Sequence, residues 1–130
     1  MLKKAAILIL VTILGIGMFN FFSKSGDTNL TVEEFKEKFQ EGEGVVIDVR
    51  TRDEYNAGHL SITDAQYDIL NGDFQEKLSE LDKNKTYYLY CRSGNRSGQA
   101  AKMMKNQGFE NVYNIGGFNS LASGGLETSR

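Results

Sequence analysis

The chain has no proline and no tryptophan, and only one cysteine and one histidine in 130 residues. Each shortage excludes something. Without proline no helix is stopped or kinked by one, which is unusual for a chain with so many turns. A lone Cys91 excludes an intramolecular disulfide and a cysteine-based zinc site. A lone His59 excludes a histidine-rich metal site, and a Cys–His pair exists only if His59 reaches Cys91. No metal and no cofactor is indicated. Basic charge is short as well. Three of the 15 basic residues (Lys3, Lys4 and Lys24) precede Asp27, so 12 remain against 17 acidic residues from there on. A globally acidic domain is a poor match for nucleic acid, so any anion site must be local. The length suits one domain of modest core.

One long hydrophobic run is present, and it opens the chain. Lys3 and Lys4 precede an uncharged apolar stretch over residues 5–22. As a helix it rises about 27 Å, nearly the thickness of a bilayer core. Phe19, Phe21 and Phe22 leave no small-x-small cleavage site, and no cysteine follows for lipid attachment. The expectation is an uncleaved membrane anchor. The alternatives are a cleaved export signal or a buried core helix. Lys3 and Lys4 would stay cytoplasmic, placing the domain outside, on the periplasmic side in a bacterium. Cleavage would make it secreted or periplasmic. Residues 1–26 are therefore read as anchor or signal plus linker, and 27–130 as the folded domain.

From Leu30 the chain alternates. Thr31 with Glu34 makes a capping box, and Leu30 with Phe35 a hydrophobic staple, so a helix starts there with Val32, Phe35 and Phe39 inward. "VVIDV" (45–49) is a continuous β-branched run, the mark of a strand buried on both faces. Thr51 with Glu54 makes a second capping box. "AQYDI" is a further candidate strand. "GDFQEKLSELDKN" sets Phe74, Leu78 and Leu81 at helical spacing. "TYYLY" (86–90) is a strand, 96–107 a helix stopped by Gly108, "NVYNI" a last strand, and "GGFNSLASGG" a turn with a short helix. Strands separated by helices predict an α/β fold, a central mostly parallel sheet with helices on both faces.

Cys91 falls at the carboxyl end of the 86–90 strand, where ligands of open α/β sheets bind. The loop "CRSGNRS" runs from it into a helix. Its backbone N–H groups and the helix N-terminus converge on one point. Gly94 permits a positive φ, Ser93 and Ser97 offer hydroxyls, and Arg92 and Arg96 add fixed charge. These favour thiolate over thiol, so the pKa is expected below about 8.5. The inert reading of a lone buried cysteine fits poorly beside a polar loop with two arginines.

Three stretches in order carry a resemblance: "VVIDVRTRDEYNAGHL", "YCRSGNRS" and "GFENVYNIGGFNSLASGGL". Together they resemble rhodanese-like domains, the single-domain thiosulfate sulfurtransferase family, across roughly residues 30–127. The resemblance implies a rhodanese-like fold. It also implies a persulfide carried on Cys91 as catalytic nucleophile, with Arg92, Ser93, Gly94, Asn95, Arg96 and Ser97 as the substrate cradle. Arg92 and Arg96 would be the anion contacts. The partners it implies are a small sulfur donor (thiosulfate or a persulfide) and an acceptor: a thiol, cyanide or a dithiol protein. "HLSITDAQ" departs from the family's usual proline-glycine-alanine, Leu121 stands for a tryptophan, and Glu127 for a proline.

Two rival functions have their own signatures. Cysteine phosphatases and arsenate reductase-like enzymes place arginine sixth after the cysteine; here Ser97 is sixth and Arg96 fifth. A non-catalytic binding module on the same fold would not need the cysteine. Elsewhere, Arg50 and Glu54 are spaced to pair with each other. Asp48 is expected to support by hydrogen bonding, and His59 to be structural.

Overall fold

The computed structural model describes residues 28–40 and 43–130. Helix α1 (Val32–Phe39) precedes strand β1 (Val45–Asp48), and α2 (Arg52–Ala57) leads to β2 (His59–Leu60) and β3 (Ala65–Gln66). Then come α3 (Asp73–Lys77) with a following 3-10 turn (Leu78–Glu80), β4 (Thr86–Cys91), α4 (Asn95–Asn106), β5 (Asn111–Gly117), α5 (Phe118–Ser123) and β6 (Thr128–Ser129). The main sheet has the order β3-β1-β4-β5, and every pairing in it is parallel.

Alternation along β4 divides the core in two. Tyr87, Leu89 and Cys91 face a cluster with Phe74, Leu78, Ala100, Ala101 and Met104, supplied by α3, the 3-10 turn after it and α4. Tyr88 and Tyr90 face the opposite side, with Phe35 of α1 and Leu121 of α5. Helices thus cover both faces, as the alternating pattern predicts. A strand buried on both sides reads as a continuous apolar run because neither parity meets water.

Both capping boxes form. Thr31 accepts from the Glu34 amide at 3.1 Å while Glu34 accepts from the Thr31 amide at 2.9 Å. Thr51 and Glu54 repeat the arrangement at 3.2 Å each way. The boundaries differ in detail. The helix after the cysteine starts one residue before the predicted 96, with Gly94 at its cap. The "GDFQEKLSELDKN" segment is a short α-helix tightening into a 3-10 turn, with Phe74 and Leu78 buried. Only two residues of "AQYDI" pair as a strand, although the Tyr67 and Ile69 amides still donate to Asp48 and Val49 carbonyls. The small antiparallel pair of β2 with β6 was not anticipated. Two-residue strands carry no periodicity, so sequence pattern cannot reveal them.

Among the described residues no helix is long and apolar enough to cross a membrane. The apolar run at 5–22, expected as an anchor or signal, lies outside the described residues.

Candidate active site

All strands of the main sheet end at one edge, and the carboxyl ends of β1, β4 and β5 place the candidate residues there. Cys91 closes β4, opposite Gly117 of β5. The register between these strands shifts after Leu89, so Leu89 faces Asn114 and Tyr90 faces Gly116, leaving Ile115 unmatched. Such an irregularity re-aims side chains beside a site. Here it sets Asn114 against the start of α4 and brings Gly117 under the cysteine loop. A Cβ on Gly117 would lie 2.5 Å from the Arg92 carbonyl oxygen, so the approach of the two backbones requires glycine. Gly94 has φ 96°, the left-handed conformation that turns the chain into α4.

The Cys91 sulfur is completely buried. The Gly94 amide donates to Sγ at 3.0 Å, and the Ser97 hydroxyl lies 3.3 Å from it. Burial pushes the thiol pKa up. Hydrogen bonds from the Ser97 hydroxyl and from the amides of Ser97, Ser93 and Gly94 outweigh it, and the pKa falls below its ordinary value. The direction agrees with the sequence reading; the cause is more local than expected. Directed N–H and O–H groups stabilise the thiolate more than the arginine charges do. The thiol is not accessible in this state, because the loop folds over the sulfur it activates.

The remaining loop residues divide sharply. Arg92, Ser93 and Asn95 are exposed, and Ser97 is buried. Asn95 accepts from the Gln99 side chain at 3.3 Å. Arg96 is turned to Glu54 of α2, which accepts from its two terminal nitrogens at 2.7 and 2.9 Å. This bidentate pair holds the Glu54 carboxyl down to about 2, chiefly through the Arg96 hydrogen bonds. The predicted Arg50–Glu54 pair therefore does not form. Arg50 instead donates from Nε and a terminal nitrogen to the Asp48 carboxylate, at 2.7 Å for the shortest contact. It also donates to the Gly58 carbonyl at 2.7 Å and lies over the Phe118 ring, 4.7 Å from its centre. Both members of the Asp48–Arg50 pair are buried. Spacing of four along a chain suggests a pair only within a helix. Arg50 precedes α2, so the two side chains leave in different directions.

An open pocket of about 210 Å³ adjoins the loop, lined by Arg50, Glu54, Ala57, Arg92, Phe118 and Asn119. Arg50 is neutralised by Asp48, and Glu54 by Arg96. Among the described residues of this lining, Arg92 is the cation without an ion pair. The volume lies below the roughly 300 Å³ minimum typical of drug-sized ligands and suits a small anion. His59 stacks on Tyr55 at 3.8 Å between ring centres, with Nδ1 3.0 Å from the Tyr55 carbonyl, contacts that hold its ring against α2.

Sequence reading missed Glu54 as the partner of Arg96 and missed Asn114 entirely. Asn114 binds the Ser97 hydroxyl at 2.7 Å and the Gly94 carbonyl at 3.0 Å. A polar residue inside an otherwise apolar strand was the available signal.

Comparison with known proteins agrees with this geometry. The family model described as "Rhodanese-like domain" matches residues 31–123. The "Putative sulfurtransferase YtwF" of Bacillus subtilis is 39% identical over 89 residues, 68% of this chain and 84% of that protein. The "Putative sulfur carrier protein YrkF" of the same organism is 36% identical over 87 residues, 66% of this chain, but the match spans only 45% of its length. A solved structure, "rhodanese with anions from E. coli", superposes with a TM-score of 0.57 at 27% identity, covering 67% of this chain and 98% of that one. The family match takes in the cysteine loop, the strand before it and the helix after it, so the chain belongs to the rhodanese-like domain family.

Proposed function

We propose that the protein is a sulfurtransferase that carries sulfane sulfur on Cys91. The observation that carries this reading is a buried sulfur held by the Gly94 amide and the Ser97 hydroxyl beside the unpaired Arg92. The names of YtwF and YrkF point the same way. In the first half-reaction the Cys91 thiolate attacks the outer sulfur of a donor such as thiosulfate or a persulfide. The new S–S bond forms as the donor's S–S bond breaks, and the donor's electron pair leaves on sulfite or on a thiolate. The charge now sits on the outer sulfur, where fixed N–H dipoles stabilise it without reorganisation. Cyanide, a thiol or a dithiol protein removes that sulfur in the second step. Arg92 supplies attraction for the anionic donor; Arg96 braces the loop against α2. Because the resting sulfur is covered, entry requires the loop to open, and a compact donor needs the least opening.

We also propose, from the length and apolarity of residues 5–22 and the lysines before them, that this run anchors the domain (27–130) outside the cytoplasm. Protease added to spheroplasts should digest the domain while a cytoplasmic control survives; protection of both would refute that topology. For the chemistry, intact mass after incubation with thiosulfate should show a gain of one sulfur atom on wild type and none on Cys91→Ser. Thiosulfate:cyanide transfer should follow ping-pong kinetics and vanish in the same variant. Wild-type transfer surviving in Cys91→Ser, or no sulfur uptake from any sulfane donor, would overturn the enzyme reading in favour of a binding module.

A further inference from the structure

Ser97 has one hydroxyl proton and two acceptors. Its Oγ lies 2.7 Å from Asn114 Oδ1 and 3.3 Å from Cys91 Sγ. Ser97 and Cys91 are both fully buried, so bulk water cannot serve either place. The Asn114 amide has a fixed orientation. Gly116 N–H donates to its Oδ1 at 3.0 Å, and its Nδ2 donates to the Gly94 carbonyl and to Asn29 Oδ1, each at 3.0 Å. A flipped amide would set N–H against N–H and oxygen against oxygen. Room for it exists because α4 carries Gly98 where a Cβ would come within 3.3 Å of Nδ2. Asn114 therefore always presents an acceptor to Ser97.

A hydroxyl serves one good acceptor at a time, and the stronger acceptor takes the proton. A thiolate is charged and outcompetes a neutral amide oxygen. After sulfur loading, the charge lies on the outer sulfur and Sγ becomes a neutral divalent sulfur, a weak acceptor. Asn114 is then the better partner. We propose that the Ser97 hydroxyl is a two-position rotor, donating to Cys91 Sγ while that sulfur is charged and to Asn114 Oδ1 once a second sulfur carries the charge. Asn114 is the positioning residue that makes the second position available. The loaded half of this proposal rests on the sulfur-transfer reading above. No proton leaves or enters the site in the switch. Its consequence is that Asn114 loosens the hold on the resting thiolate and favours the loaded form, by the worth of one neutral hydrogen bond, about 3- to 10-fold.

Arg96 of α4 is the charged group coupled to this sulfur; the other charged groups at this end of the sheet are its partner Glu54 of α2, the Asp48–Arg50 pair at the end of β1, and Arg92 on the loop. All are retained in the test. Thiolate absorbance is titrated against pH on the full chain as wild type, Ser97→Ala, Asn114→Ala and the double variant. Asn114→Ala also removes the anchor on the Gly94 carbonyl, but that loss is common to both backgrounds. The difference between backgrounds isolates the Ser97 proton. With Ser97 present, Asn114→Ala should shift the Cys91 pKa about half a unit to one unit further downward than it does in Ser97→Ala. An equal effect in both backgrounds, or a difference of opposite sign, overturns the rotor. Asn114→Leu, with the same expected sign, replaces the alanine variant if that one does not fold. In a second arm, sulfur loading is equilibrated against thiosulfate and sulfite. Asn114→Ala should lower the loaded-to-resting ratio about 3- to 10-fold only when Ser97 is present. If wild type takes up no sulfur, the sulfur-transfer reading and the loaded position fall together, and the titration alone decides whether Asn114 competes for the proton.

Discussion

The Arg96–Glu54 pair is the strut that ties the cysteine loop to α2, and Glu54→Gln tests it with little collateral change. Glutamine keeps the length of the side chain and can still close the capping box with Thr51, so α2 retains its start. What is lost is the charge and one of two hydrogen bonds, now 2.7 and 2.9 Å long. The Glu54 carboxyl, drawn down to about 2 by Arg96, would ordinarily titrate near 4.3. A gap of that size corresponds to a ceiling of about 3 kcal/mol. The two side chains are 21% and 27% exposed, and solvent screening reduces this to about 1–1.5 kcal/mol. For a domain of this size that is a fall in Tm of roughly 5–10 °C. The pH dependence has a definite sign. The folded-state value is depressed, so the stabilisation is complete above the unfolded pKa and drains away as pH falls toward about 2. Urea unfolding of wild type and Glu54→Gln should therefore show the full gap at pH 7 and a shrinking one below about 4.5. A gap that is absent at pH 7, or equal at pH 7 and pH 3, would refute the reasoning.

Arg92→Ala should raise the KM for thiosulfate about 10-fold, the worth of one charge-assisted contact, with little change in the Cys91 pKa; steady-state kinetics beside an alkylation-rate profile read both. Gly117→Ala forces a methyl group onto the Arg92 carbonyl, so sulfur transfer should fall more than tenfold while circular dichroism retains the fold. Asp48→Ala leaves Arg50 buried without its carboxylate and should cost about 3–5 kcal/mol in urea unfolding.

Much of this architecture was legible because the chain announces its elements locally. Thr31–Glu34 and Thr51–Glu54 mark two helix starts within four residues each, and "VVIDV" and "TYYLY" carry the burial of the central strands in their own composition. The cysteine loop was legible for the same reason: its donors are contiguous with the thiol. What sequence could not show depends on chain segments meeting across the fold. Arg96 meets Glu54 from 42 positions away, and Asn114 reaches Ser97 from 17. Arg50 lies four residues from a carboxylate yet takes the one two residues behind it, because the strand end and the helix start point the side chains apart. The β2–β6 pair joins His59 to Ser129, too short and too distant to leave a pattern.

The parallel sheet has a consequence for how reactivity arises as the chain folds. Val45 pairs with Tyr87, and Tyr87 with Val112, so no strand of the main sheet finds its neighbour through a tight hairpin. Contact order of this kind slows folding relative to helical bundles. Until β5 docks, neither Gly117 nor Asn114 is in place, and the turn at Gly94 has nothing to rest on. During that interval Cys91 lacks the hydrogen bonds that lower its pKa and is an ordinary, mostly protonated thiol, bare to oxidants yet slow to react with them. The activated sulfur comes into being only as the loop closes over it, so the enhanced nucleophilicity and the shield against stray oxidation are acquired in a single folding event.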